Sequence, residues 1–136
     1  MFPWSYDLLM VTRSDSPSPA PDDSSVLTKG VTRAATLLGL SQRQLADTLG
    51  LSAPTASRLF SGQYRLSPAR AKEWEMGVLF VRLFRSLDAL WGHEGTARAW
   101  LETYNTALGA APIELMRTAS GLVRVVDYLD YARGRV

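Results

Sequence analysis

The stretch LSQRQLADTLGLSAPTASRLFSG, Leu40–Gly62, decides the fold. Leu40-Ser41-Gln42-Arg43-Gln44-Leu45 is a complete helix start. Ser41 is placed to accept from the Gln44 amide, Gln44 to reach back to Ser41, and Leu40 to staple against Leu45. The helix it opens ends at Gly50. Ser52 then caps a second helix, whose first turn accommodates Pro54 because no intrahelical donor is required there, and Gly62 closes it. Two helices joined this tightly need a small residue where they touch and a glycine where the backbone turns through positive φ. Ala46 and Gly50 supply them. Leu45, Leu49, Leu51, Ala56 and Leu59 fall where apolar contacts hold the second helix on the first. A plain helical hairpin shares the apolar spacing but has no need for the combination. The stretch reads as a helix-turn-helix.

In that geometry Ala53–Ser61 is the recognition helix, and its N-terminal residues enter the major groove of DNA. Ala53, Pro54, Thr55, Ser57 and Arg58 are the candidates for base or phosphate contact. The Arg58 fork matches O6 and N7 of guanine and serves a phosphate equally well. Gln42 and Arg43, opening the preceding helix, and Gln63, Tyr64 and Arg65, just past Gly62, are placed for phosphates, which position a protein without reading sequence. Charge agrees. Between Ser41 and Lys72 stand five basic residues against the single acid Asp47, whereas residues 73–136 hold seven basic and eight acidic, and the first 24 hold one and four. A basic segment beside near-neutral neighbours suits a polyanion.

Working outward, Leu27, Val31, Ala34, Ala35 and Leu38 make the apolar stripe of a helix that Gly39 ends. Before it, SDSPSPAPDDSS (residues 14–25) reads as a flexible linker, and residues 1–13 carry Trp4, Tyr6, Leu8, Leu9 and Met10, too few to fold alone. Beyond the decisive stretch, Ser67-Pro68 predicts the start of a long helix reaching Trp91. Its Val78–Phe84 portion is apolar nearly all round, which implies burial on several sides. Gly92 and Gly95 break it, Thr96–Leu108 reads as a further helix, Pro112 opens a short one, and Gly121 to about Arg133 forms the last, with Leu122, Val125, Val126 and Leu129 on one face. The fold class is all-α. Three segments are expected: residues 1–24 as N-terminal segment and linker, 25–72 as the helix-turn-helix domain, and 73–136 as a second helical domain.

With 136 residues and 46% hydrophobic composition the chain has room for one core or two small helical subdomains sharing one. No window suits a bilayer, since Arg82 and Arg85 interrupt the most apolar run, and MFPWSYDLLM lacks the basic start and cleavage site of a signal peptide. Cysteine is absent, so disulfides and thiolate metal sites are excluded. A cytoplasmic protein without membrane attachment is expected. Nothing reads as an active site. His93 stands alone between two glycine breaks, no nucleophile has a base at motif spacing, and there is no phosphate-cradling loop. Asp127 and Asp130 read as surface charges or partners of Arg124. The expectation is a non-enzyme without cofactor or metal.

The run Leu40–Gly62 resembles the helix-turn-helix of Xre-type regulators. A narrower resemblance lies in AWLETYNTALGAAPIELMRTASGLVRVVDYLDYARG, Ala99–Gly134. Trp100-Leu101, Asn105, Leu108-Gly109, Pro112, Glu114-Leu115, Thr118, Gly121, Val125 and Leu129 are similar to the pattern of the toxin-binding domain of Xre/MbcA/ParS antitoxins. The chain departs from it at Tyr104, where the family usually has proline before the asparagine. The resemblance spans roughly residues 25–134. It implies a RES-domain toxin as partner, an enzyme that consumes NAD or transfers ADP-ribose from it, whose active site the antitoxin covers with its C-terminus. Autorepression through operator DNA, and a homodimer or a hetero-oligomer with the toxin, are implied too.

The final helix carries the toxin-facing expectation. Arg124, Asp127, Tyr128 and Tyr131 lie off its apolar stripe, and Arg133-Gly134-Arg135-Val136 trail after it. Tyrosines and arginines with few acids are the composition of a binding surface. Arg133 and Arg135 are expected to project over the NAD pocket. Two other functions fit the residues. A standalone dimeric repressor would use the apolar Met76–Trp91 segment to dimerise, and a ligand-sensing regulator would hold its pocket among the aromatic residues.

Overall fold

A computed structural model of the chain describes residues 22–92 and 95–134, which form seven α-helices. Helix α1 is Asp23–Leu38, α2 Gln42–Leu49, α3 Ala53–Ser61, α4 Ala71–Trp91, α5 Thr96–Glu102, α6 Pro112–Leu115 and α7 Ala119–Ala132. Side-chain caps fix where four of them begin. Asp22 accepts from the Ser25 amide at 2.7 Å, so α1 opens inside the stretch expected to be linker up to Ser25. Ser41 and Gln44 form the anticipated reciprocal box, at 3.0 and 2.9 Å. Ser52 accepts from the Thr55 amide at 3.2 Å, and Thr118 from the Gly121 amide at 3.1 Å.

Three other boundaries differ from the sequence expectation, two of them because a local hydrogen bond competes with the helix and the third because the Thr118 cap sets the start earlier. Ser67-Pro68 makes a turn instead of opening α4. The Arg70 amide donates to the Ser67 carbonyl at 3.0 Å and the Ala69 amide to the Ser67 hydroxyl at 3.2 Å, which delays the helix to Ala71. Helix α5 stops at Glu102 and not at Leu108. Asn105 captures the following backbone, its side chain accepting from the Leu108 amide at 3.0 Å and its own amide donating to Ala110 at 3.1 Å. Helix α7 starts at Ala119, ahead of Gly121, which lies in its first turn.

Helix α4 is the axis of the packing: α1 and α2 lie against it, as do α5 and α7. Phe80, Leu83 and Leu87 are fully buried in it, facing Val31, Leu38, Leu45 and Leu49 from the first helices and Leu101, Leu122, Val125 and Leu129 from the last ones, all in one cluster. Burying each such side chain is worth about 1.5–3 kcal/mol. The apolar Met76–Trp91 run is thus mostly core. Trp74, Leu79 and Phe84 are half-buried, while Val78 and Trp91 stay substantially exposed. The loop after α3 is stitched to α1, with the Leu66 amide donating to Thr28 at 3.0 Å and the Ser24 hydroxyl to the Leu66 carbonyl.

Candidate functional site

The turn between α2 and α3 is built as the sequence predicts. Gly50 adopts φ +75° and the Leu51 amide donates back to the Ala46 carbonyl at 2.9 Å, while Ala46 is almost wholly buried at the helix crossing. Ala56 and Leu59 anchor α3 from beneath. That leaves Ala53, Pro54, Ser57 and Arg58 exposed along its outer face, with Thr55 half-buried. Thr55 organises this edge. Its hydroxyl accepts from Ser52 at 2.9 Å and from the Arg58 guanidinium at 3.3 Å, so Arg58 is held along the helix toward its N-terminal end.

Gln42, Arg43 and Ala53 meet in one groove, closed by Ala46, Asp47 and Leu51 and about 490 Å³ in volume. The N-termini of α2 and α3 thereby share a rim where backbone N–H groups and helix dipoles favour anions. Gln63, Tyr64 and Arg65 stand past the far end of α3. Gln63 is exposed, but its two neighbours are engaged within the chain. The Tyr64 hydroxyl donates to Glu73 at 2.7 Å, Arg70 lies 4.8 Å over its ring, and burial together with that bond to Glu73 raises its pKa. Arg65 pairs with Asp22 at 2.7 Å. Both partners of that pair are more than half exposed, so a phosphate can replace the carboxylate at little cost.

In the C-terminal half of the chain, α7 buries Leu122, Val125, Val126 and Leu129 as expected. Arg124 and Asp127 are exposed and Tyr131 is 70% exposed. Arg124 also donates to the Leu108 carbonyl at 3.0 Å, tying α7 to the Asn105 loop. Tyr128 is half-buried and does not stand off the stripe. It stacks on Trp100 at 6.1 Å, and Trp100 meets Trp91 at 5.5 Å, making a ladder of three aromatic rings. Arg133 does not project outward. Its guanidinium turns back to donate to the hydroxyl of Ser86, a fully buried residue of α4, at 2.9 Å. Gly134 follows at φ +75°. His93, Arg135 and Val136, like residues 1–21, lie outside the described residues.

Asp130 is the clearest correction. It is 8% exposed and pairs with Arg82 of α4, neither a surface charge nor a partner of Arg124. Its second carboxylate oxygen is buried without a hydrogen-bond partner, so the Arg82 charge is what offsets its burial. The signal was in the sequence. Asp130 stands four residues after Val126 on the buried stripe, and Arg82 interrupts the apolar run of the helix that α7 packs against.

Residues 19–82 match the antitoxin Xre-like helix-turn-helix domain, and residues 86–135 match the antitoxin Xre/MbcA/ParS C-terminal toxin-binding domain. The chain belongs to the Xre/MbcA/ParS antitoxin family. No curated protein matches it. The two domain matches meet within α4, so one continuous helix joins the helix-turn-helix domain to the C-terminal domain. None of the helices among the described residues is long and apolar enough to cross a membrane.

Proposed function

We propose that this antitoxin neutralises a RES-domain toxin by covering its NAD site with the face of α7 and the residues that follow, and represses its own operon through α2 and α3. It acts by binding and performs no catalysis. What carries the reading is the union of two surfaces on one chain: the N-terminal rim shared by Gln42, Arg43 and Ala53, and the Tyr131-bearing face of α7 within the toxin-binding domain. Helix-turn-helix proteins read two half-sites about one duplex turn apart as pairs, so two copies act together on the operator.

Arg135, next after Gly134, is the cation assigned to the toxin pocket. Arg133 serves as a strut, because Ser86 holds it against α4. On the DNA side, Arg58→Ala is expected to weaken operator binding by about 1–3 kcal/mol and to relax preference at one base pair. A gel shift at fixed salt against a set of single-base variants measures both. For the toxin, the test is titration of purified antitoxin into a RES enzyme encoded beside it while NAD consumption is followed. Turnover should fall to zero at a fixed molar ratio, and undiminished turnover with excess antitoxin would overturn the reading.

A further inference from the structure

The basic segment from Ser41 to Lys72 holds one acid, Asp47, and the fold places it in the groove that Gln42, Arg43 and Ala53 line. A carboxylate there works against a phosphate, which Arg43 and the two helix N-termini attract. Asp47 also stands four residues after Arg43 on α2, within reach of an (i, i+4) ion pair that would hold the Arg43 guanidinium down on the helix.

Asp47 is engaged elsewhere. Nε of Arg117 lies 3.6 Å from its carboxylate, and Nη1 of the same guanidinium lies 3.5 Å from the Glu114 carboxylate. Arg43 itself is exposed and has no ion pair among the described residues. The cation that occupies Asp47 thus comes from outside the helix-turn-helix, from the corner between α6 and α7. That corner is fixed. The Arg117 amide donates to the Glu114 carbonyl at 3.4 Å, the Thr118 amide donates to the Leu115 carbonyl at 3.3 Å, and the Thr118 hydroxyl caps α7. A second groove, of about 430 Å³, is lined by Glu114, Arg117 and Thr118 and shares Ala46, Asp47 and Leu51 with the first, so Asp47 borders both. Among the described residues, Arg117–Asp47 is the only hydrogen bond or ion pair that joins α2 or α3 to the last three helices.

The side chains of Arg117 and Asp47 are 60% and 37% exposed, so their pairing adds little to folding. Its effect falls on the charge that the groove shows to DNA. We infer that Arg117 is a positioning residue of the operator-binding surface, supplied by the C-terminal domain: by holding Asp47 it cancels the one repulsive charge of the groove and leaves Arg43 free for a phosphate. The inference rests on the reading of α2 and α3 as the DNA-binding pair.

Fluorescence anisotropy with a labelled duplex of the promoter DNA preceding the gene tests it, at low salt and beside a random duplex of equal length. Arg117→Gln should weaken binding to both duplexes about fivefold or more, because the loss is of charge and not of base readout. Asp47→Asn should bind at least as well as the unaltered chain. The D47N/R117Q double variant, whose net charge equals that of the unaltered chain, should return to within about twofold of it. Melting temperatures of all three variants close to that of the unaltered chain would show that the losses are not of folding. An R117Q variant that binds normally overturns the inference and leaves the DNA-binding reading intact. A double variant as weak as R117Q overturns it too, since Arg117 would then act on the duplex directly and not through Asp47. Failure of the unaltered chain to bind either duplex would instead bring down the DNA-binding reading, and this inference with it.

Discussion

An antitoxin ending at Tyr131 is expected to bind operator DNA normally and to fail in neutralising its toxin. The deletion removes the Arg133 strut, the left-handed Gly134 and the two residues beyond it, while the rest of α7 keeps its packing on α4 and α6. Among the described residues no hydrogen bond or ion pair joins the deleted segment to α2 or α3. Losing the central cation of an enzyme-covering segment costs about 3 kcal/mol, on the order of 100-fold in toxin affinity. Growth on co-expression with the toxin reports the loss, and a gel shift with operator DNA reports the retained function. A truncated chain that still protects cells would remove the tail from the mechanism and leave the α7 face to carry it.

The second large effect is one that helix propensity alone predicts with the wrong sign. Gly121 lies inside α7, where replacing glycine by alanine ordinarily stabilises by about 1 kcal/mol. Here a Cβ would sit 1.8 Å from the Leu115 carbonyl oxygen and 2.9 Å from the Thr118 hydroxyl. The obstacle is backbone, so α6 and α7 must separate. Gly121→Ala is therefore expected to destabilise by about 3 kcal/mol. That corresponds to a fall in melting temperature of about 10 °C for a chain of this size. Toxin binding should weaken with it. Thermal unfolding followed by circular dichroism decides the matter, and a rise in melting temperature would show that the α6–α7 junction relaxes freely.

How much of this was legible beforehand depended on whether the relevant interactions are local. The α2–turn–α3 unit could be read almost residue by residue, because Ser41, Gln44, Gly50 and Ser52 act within a few positions of themselves. The same locality misled at Ser67-Pro68 and at Thr103–Asn105, where side-chain and turn hydrogen bonds compete with a helix that the apolar spacing favours. Which residues meet across long separations was not legible, even where, as for Asp130, a residue's place on the buried stripe was. Arg82 and Asp130 are 48 residues apart, Ser86 and Arg133 are 47 apart, and the stacking of Trp91, Trp100 and Tyr128 needs α4, α5 and α7 in place. Arg133 shows the consequence. Its position in the sequence reads as the start of a free tail, yet the packing of α7 on α4 brings its guanidinium to a buried hydroxyl.

The face of α7 also changes meaning once folded. Of the side chains expected to stand off its apolar stripe, Arg124, Asp127 and Tyr131 remain available, whereas Tyr128 belongs partly to the aromatic ladder. The outward face of α7 proposed for the toxin is thus narrower than the sequence pattern implies, and Tyr131 is its most exposed aromatic residue.

If the segment after α7 occupies the toxin's NAD site, antitoxin and nucleotide must compete for it. Binding of the full-length antitoxin to purified RES toxin would be measured by calorimetry at increasing concentrations of a non-reactive NAD analogue. Occupancy of one site by both predicts an apparent dissociation constant that climbs in proportion to the analogue. An affinity indifferent to saturating analogue would place the antitoxin elsewhere on the enzyme and contradict the account.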